Sequence, residues 1–286
     1  MASPLISVTE LADLLRDGAE VCVLDVRWRL DQPEGRPEYL DGHLPGAVYV
    51  DLERELAEHG HPEQGRHPLP SDDTLRAAVR RWGLRRGVPV VVYDDVHSVA
   101  AARAWWVLTH AGIADIDVRV LDGGLRGWAA AGFGLETGDV QPPVGDAEVE
   151  GFGEQLGMVE TARWPQHGVL LDVRSAERYR GDPDTHDPVA GHIPGARNLP
   201  TTYHLSGGRF RSPAEIRRNF ASLGVDDTVP VAAYCGSGIA AAHTVLAGAV
   251  AGLDVALYPG SWSQWSRTRG REVALGMTPA QRIRRV

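Results

Sequence analysis

The sequence has no lysine: all 29 of its basic residues are arginine, set against 38 acidic ones. That absence excludes lysine Schiff bases, the lysine of a phosphate-binding P-loop and any lysine general base. Cysteine is nearly missing too. Cys22 and Cys235 are the only two, too few for a disulfide framework or an all-cysteine metal site. No His-Glu-x-x-His spacing occurs among the histidines. The one His-x-His, His59-Gly60-His61, lies in a polar Gly/Pro stretch and reads as solvated loop. No metal and no organic cofactor are therefore expected. The segment from Met1 to Gly18 has neither a basic start nor an apolar run of signal-peptide length. The longest apolar stretch, Ile239 to Leu253, is interrupted by His243 and Thr244 and is too short to span a bilayer. It reads as a buried helix. A cytoplasmic protein with reduced thiols and no membrane partner is expected. A formal charge of −9 argues against nucleic acid as a partner.

What the sequence does contain is a repeat. Val23-Leu24-Asp25-Val26-Arg27 returns as Leu170-Leu171-Asp172-Val173-Arg174, and Gly42-His43-Leu44-Pro45-Gly46-Ala47 as Gly191-His192-Ile193-Pro194-Gly195-Ala196. Val91-Val92-Tyr93-Asp94 returns as Ala232-Ala233-Tyr234-Cys235. Leu121-Asp122-Gly123-Gly124 with Trp128 returns as Tyr258-Pro259-Gly260-Ser261 with Trp265. Four blocks in the same order, about 140 residues apart, mean two similar domains rather than a solenoid. Within each half, short apolar runs alternate with helical spacing. The strands are read at Val21–Asp25, Val88–Tyr93 and Val118–Leu121, then at Val169–Asp172, Val229–Tyr234 and Val255–Tyr258. Ser71 opens one helix and Ala100–Ala111 is another. In the second half, Ser212-Pro213-Ala214-Glu215 is a capping box with proline at the first helical position. The fold class is α/β, a tandem duplication of a doubly wound parallel-sheet domain. The domains are expected at residues 1–134 and 158–286, with 135–157, rich in Gly, Pro and acid, as the linker.

Cys235 ends an apolar strand and is followed by Gly236-Ser237-Gly238 and a helix from Ile239. In an open parallel sheet, ligands bind at the carboxyl ends of strands. A glycine-rich turn there aims several backbone N–H groups at one atom, and the helix N-terminus adds its positive end. Both favour a thiolate, or a sulfur anion built on it. Cys22, inside Val21-Cys22-Val23-Leu24, reads as core packing. A phosphatase also places a cysteine before a helix, but it needs an arginine six positions on to fork a phosphate. Ala241 stands there, which argues against that activity.

Paired blocks of this kind, with one cysteine loop in the second half, resemble the rhodanese family of two-domain sulfurtransferases. The resemblance runs from about Leu5 to Trp265 and rests most on Gly-His-Ile-Pro-Gly-Ala and Leu-Asp-Gly-Gly-Leu-x-x-Trp. It implies a duplicated rhodanese-like fold with the site on the second domain. Asp94 takes the cysteine's place in a catalytically silent first domain. Cys235-Gly236-Ser237-Gly238 resembles the loop of the members that use 3-mercaptopyruvate, whereas thiosulfate-using members carry cations directly after the cysteine. Arg178 matches the family's substrate-binding arginine, and its planar fork suits a carboxylate. Asp172 and Arg174 read as a structural pair. Members that use mercaptopyruvate carry a second arginine some residues later, where this chain has His186. His43 matches a first-domain histidine that attends the cysteine and would shuttle a proton with Ser237, although His192 fills the same motif in the other half. Its orienting acid is left open among Asp31, Glu34 and Glu38. Pro259 and Gln264 replace two acids of a family motif, where a packing change is expected.

The resulting expectation is a double displacement. Cys235 takes sulfur from 3-mercaptopyruvate, Arg178 holds the donor, and the backbone of Gly236, Gly238, Ile239 and Ala240 holds the persulfide. A thiol, cyanide or a thioredoxin-like protein accepts the sulfur. The alternatives are a thiosulfate sulfurtransferase with the same intermediate, and a persulfide carrier or redox-sensing module serving a protein partner.

Overall fold

The computed structural model describes residues 3–183 and 185–285. The chain forms two compact units, and each borrows a segment from the other half of the sequence. The first unit comprises the chain up to Glu58, Leu69–Gly153 and Gly207–Phe210. The second comprises His59–Pro68, Glu154–Ser206 and the chain from Arg211.

In the first unit five parallel strands run in the order Leu5–Ile6, Val118–Leu121, Val90–Tyr93, Cys22–Asp25, Val48–Tyr49. Cys22 pairs with Val90 and Asp25 with Tyr93, so the two central strands end together. In the second unit four parallel strands run in the order Val255–Leu257, Val231–Tyr234, Val169–Asp172, Arg197–Asn198. There Val231 pairs with Val169 and Tyr234 with Asp172. The central strands are buried along their whole length, which is why they read as unbroken apolar runs rather than alternating ones. The α/β class and the duplication are as expected. The two-residue edge strands at 5–6, 48–49 and 197–198 are too short to show a period.

Helix ends follow local chemistry. Ser71 caps Asp72–Arg81 by accepting from the Thr74 N–H, and acidic residues open that helix while Arg80 and Arg81 close it. Ser212 and Glu215 form both halves of the capping box on Pro213–Ala221. Residues 135–157 are not a free linker for most of their length. Glu136 exchanges two backbone hydrogen bonds with His43, both at 2.9 Å, and Gly145 donates to the Arg80 carbonyl, so 135–153 packs with the first unit.

The repeated Leu-Asp-Val-Arg block is a buried ion pair used twice. Arg27 forks Asp25 and reaches the carbonyls of Glu38 and Gly42. Arg174 forks Asp172 and reaches Gly191. Each arginine thus ties a strand end to its Gly-His-x-Pro-Gly-Ala loop. Such a pair fixes geometry more than it adds stability, because its desolvation offsets much of its attraction.

His204 is a different case. It is fully buried against Phe220, with ring centroids 4.9 Å apart, and neither ring nitrogen has a hydrogen-bond partner among the described residues. Burial pushes its pKa down from 6.5 to about 4. The folded protein therefore resists protonation that the unfolded chain accepts. The contribution is complete above about pH 6.5 and is lost as pH falls toward 4. Its size is on the order of 3 kcal/mol. Urea unfolding of His204→Leu across pH 4 to 8 should show a shallower acid limb than the wild type. Parallel curves would assign the acid sensitivity to other groups.

Candidate active site

In the second unit the chain leaves strand Val169–Asp172 toward one side of the sheet and strand Val231–Tyr234 toward the other. Their adjacent carboxyl ends therefore open a crevice, the place where such sheets bind ligands. The crevice is an open cleft of about 410 Å³, and Arg178, Thr201, Tyr203, Cys235, Gly236 and Ala240 are in its wall.

Cys235 sits at its floor, almost fully buried, and its Sγ accepts from the Gly238 N–H at 3.1 Å. Gly238 has φ of +85°, a left-handed conformation that glycine adopts without strain, and it caps helix Ile239–Val250. The loop is bolted from behind. The Cys235 N–H donates to Ser261 Oγ at 3.2 Å, and the carbonyls of Cys235 and Gly236 accept from Trp262 and Ser263 at 3.0 and 2.8 Å. The polar interruption of the apolar helix also has a reason. His243 Nδ1 lies 2.7 Å from Thr201 Oγ1, which accepts from the Thr244 hydroxyl at 2.9 Å, so the two polar residues hold a wall of the cleft.

Ser237 Oγ lies 2.7 Å from Nδ1 of His67, on the His59–Pro68 segment, and both residues are nearly buried. His43 is fully buried within the first unit, stacked on Tyr39 at 4.3 Å, with its Nδ1–H donating to the Tyr39 carbonyl at 2.9 Å. His192 repeats this on Tyr179, at 3.8 and 2.8 Å. His43 is thus packed on a tyrosine and oriented by a carbonyl rather than by Asp31, Glu34 or Glu38. His67 was missed because nothing in its Gly/Pro-rich surroundings has a period.

Arg178 reaches the cleft from helix Ala176–Arg180 and bonds Asp187 at 3.3 Å. A Cβ built on Gly236 would lie 3.2 Å from Arg178 Nη2 and 2.9 Å from Arg66 Nη2. The loop itself carries no cation, but two guanidinium groups lie over it. Counting only the loop and Arg178 underestimates the positive charge at the cysteine. His186 is exposed, and its carbonyl accepts from Arg66 at 2.8 Å. Gln264, at one of the replaced acids, accepts from the Tyr258 hydroxyl at 2.8 Å, a packing role. Ile239 is buried at the helix start.

The first unit has a turn at the matching strand end, one residue longer and built around a different residue. Asp94 is buried, and its carboxylate accepts the N–H groups of Val96, Ser98, Ala100 and Ala101 at 2.9 to 3.0 Å. Cys22 is half-buried, donates to the Trp82 carbonyl at 3.6 Å, and is pushed up by burial to about 12. Among the described residues no helix is long and apolar enough to cross a membrane.

Comparison with known proteins agrees with this architecture. The sequence profile of the Rhodanese-like domain matches residues 7–131 and 156–268. A Mycobacterium tuberculosis protein, provisionally named a thiosulfate sulfurtransferase, is 50% identical over 277 residues, covering 95% of this chain and 97% of that one. A Pseudomonas aeruginosa protein, provisionally named a 3-mercaptopyruvate sulfurtransferase, is 41% identical over 286 residues, covering 96% and 99%. The crystal structure of a 3-mercaptopyruvate sulfurtransferase from Escherichia coli superposes with a TM-score of 0.80 at 30% identity, covering 91% of this chain and 99% of that one.

The two thiols should separate chemically. Iodoacetamide at pH 7.5 followed by peptide mapping should label Cys22 at least about a hundredfold more slowly than Cys235, since only the thiolate reacts. Comparable rates would contradict the contrast drawn between them.

Proposed function

The chain belongs to the rhodanese family and is a sulfurtransferase, and we propose that it draws sulfur from 3-mercaptopyruvate and passes it through a Cys235 persulfide to a thiol or cyanide. The observation that carries this reading is the cleft itself. A cysteine whose Sγ already accepts a backbone N–H shares a wall with an arginine fork of the right shape for a carboxylate.

The Cys235 thiolate attacks the donor sulfur. A sulfur–sulfur bond forms, the carbon–sulfur bond breaks, and its electron pair leaves on pyruvate enolate. Arg178 holds the donor carboxylate throughout. The enolate then takes a proton, for which the hydrogen-bonded Ser237–His67 pair is the nearest relay. The outer sulfur of the persulfide rests among the N–H groups of Gly236, Gly238, Ile239 and Ala240, where the turn and helix end favour negative charge. A second thiol attacks that sulfur, becomes the persulfide and releases Cys235. A thioredoxin-like dithiol in a reducing cytoplasm is a suitable acceptor, since it would then release sulfide and form its own disulfide. Kinetics should be ping-pong.

Arg178→Ala removes a charge-assisted fork and should lower kcat/KM for 3-mercaptopyruvate by roughly 30- to 1000-fold, with the acceptor KM unchanged. An unchanged donor kcat/KM would move the carboxylate elsewhere. Steady-state rates of the wild type with both donors test the donor assignment, which predicts the higher kcat/KM for 3-mercaptopyruvate. Equal or faster turnover of thiosulfate would overturn the assignment and leave the persulfide chemistry standing.

A further inference from the structure

The cleft of the second unit adjoins a chamber that the mechanism above leaves unused. Its volume is about 370 Å³, and its wall is Thr202, Tyr203, Arg211, Glu215, Arg218 and Asn219. Thr202 and Tyr203 also line the chamber of Cys235 and Arg178, so the two meet along the turn Thr201–His204. That partition is held from the outer side. The Tyr203 carbonyl accepts from Arg211 Nε at 3.1 Å and from Asn219 Nδ2 at 2.9 Å, while Tyr203 itself is 58% exposed. A donor as small as 3-mercaptopyruvate, held by Arg178, has nothing to place in the outer chamber. The charges there are uneven. Two arginines face one acid, Glu215, and that acid is already engaged. Its Oε2 accepts the Ser212 N–H at 3.1 Å and the Ser212 hydroxyl at 2.6 Å, and its Oε1 takes Arg211 Nη1 at 3.4 Å. Arg218 stands exposed on helix Pro213–Ala221. Its guanidinium makes no hydrogen bond and no ion pair among the described residues and acts on Glu215 only through space. The wall therefore carries one positive charge in excess.

We infer that the outer chamber is a binding site for the sulfur acceptor, and that Arg218 and Arg211 take the carboxylate of a small peptidic thiol whose sulfur reaches Cys235 through the inner chamber. This rests on the Cys235 persulfide reading and names the class of thiol that unloads it. The charge of the wall sets the class. An excess of one positive charge matches a carboxylate and leaves the second charge of a phosphate unmatched. Arg218 offers its planar fork without first giving up an ion pair. Tyr203, between the chambers, presents an aromatic face to the intervening peptide. In the second half-reaction the acceptor thiolate attacks the outer sulfur of the persulfide. A sulfur–sulfur bond to the acceptor forms, the bond to Cys235 Sγ breaks, and its electron pair stays on Cys235 as a thiolate. The acceptor leaves as its own persulfide. In a ping-pong cycle pyruvate has left before the acceptor enters, so donor and acceptor share the inner chamber in turn. Only the acceptor uses the outer one, and Arg218 acts on the second half-reaction alone.

The test uses two acceptors that differ by one charge, with 3-mercaptopyruvate as donor and the full-length enzyme. They are the acetylated tripeptide of one cysteine followed by two glycines, with a free carboxylate, and the same tripeptide as its amide, compared at equal thiolate concentration. The wild type should use the acid with a kcat/KM roughly 3- to 10-fold above that of the amide, the worth of exposed charge contacts. Raising the salt concentration should close that gap, because exposed charges are screened. Arg218→Gln, which removes no hydrogen bond of the fold, should abolish most of the preference. Arg218→Glu should invert it and Arg218→Lys should keep part of it. A merely structural role would instead lower kcat/KM for acid, amide and donor together, and that result overturns the inference. Equal use of acid and amide by the wild type also overturns it, as does a preference that survives in Arg218→Glu. Mass spectrometry of the wild type after donor treatment separates the two readings. Sulfur on Cys235 without an acid preference defeats this inference alone, whereas no sulfur on Cys235 defeats both.

Discussion

The structure depends on how a central parallel strand turns into a helix in each unit, where backbone N–H groups meet one side chain. In the first unit the turn closes around the Asp94 carboxylate, which takes four N–H groups. In the second the turn meets the sulfur of Cys235, which takes the Gly238 N–H. The residue before each following helix is left-handed, Ser98 at φ 64° and Gly238 at φ 85°. The two halves thus place different side chains at matching strand ends: a carboxylate held by four N–H groups in the first and a thiol held by one in the second.

A second constraint is the Asp187 carboxylate. It is buried, so its charge must be matched, and it is matched three times over by Arg66, Arg178 and Arg267. Arg66 and Arg178 of this set reach Gly236, next to Cys235. Holding charged side chains still in this way costs stability elsewhere, but it prepares the cleft for an anion without rearrangement. The proposed sulfur transfer would use these two features together: a turn that favours a sulfur anion, and arginines that suit an anionic donor.

Much of this was legible in the sequence, and the reasons are local. Val118–Leu121 and Val169–Asp172 are strands over the residues where their short, mostly apolar runs placed them, because buried parallel strands are apolar on both faces. The repeat revealed the duplication, and the Gly-Ser-Gly run after Cys235 revealed the turn that leads from the strand into the helix. What could not be read was the exchange of segments. His59–Pro68 has no periodicity and belongs by order to the first half, yet it folds with the second unit and brings His67 to Ser237 and Arg66 to Asp187. The His-x-His within it, which reads as solvated loop, lies on the same segment. His43 shows the opposite hazard. Its duplicate His192 was the clue that both histidines pack on a tyrosine and close a loop.

The most direct measurement is the mass of the intact protein and of its cysteine peptides after brief treatment with 3-mercaptopyruvate and removal of excess donor. The account predicts the added mass of one sulfur atom on the peptide carrying Cys235, its removal by cyanide, and none on the peptide carrying Cys22. The added sulfur should be absent from Cys235→Ser and present in Cys22→Ser. Sulfur appearing on Cys22, or a folded Cys235→Ser enzyme that still turns over, would contradict the assignment of the second turn as the site of sulfur transfer.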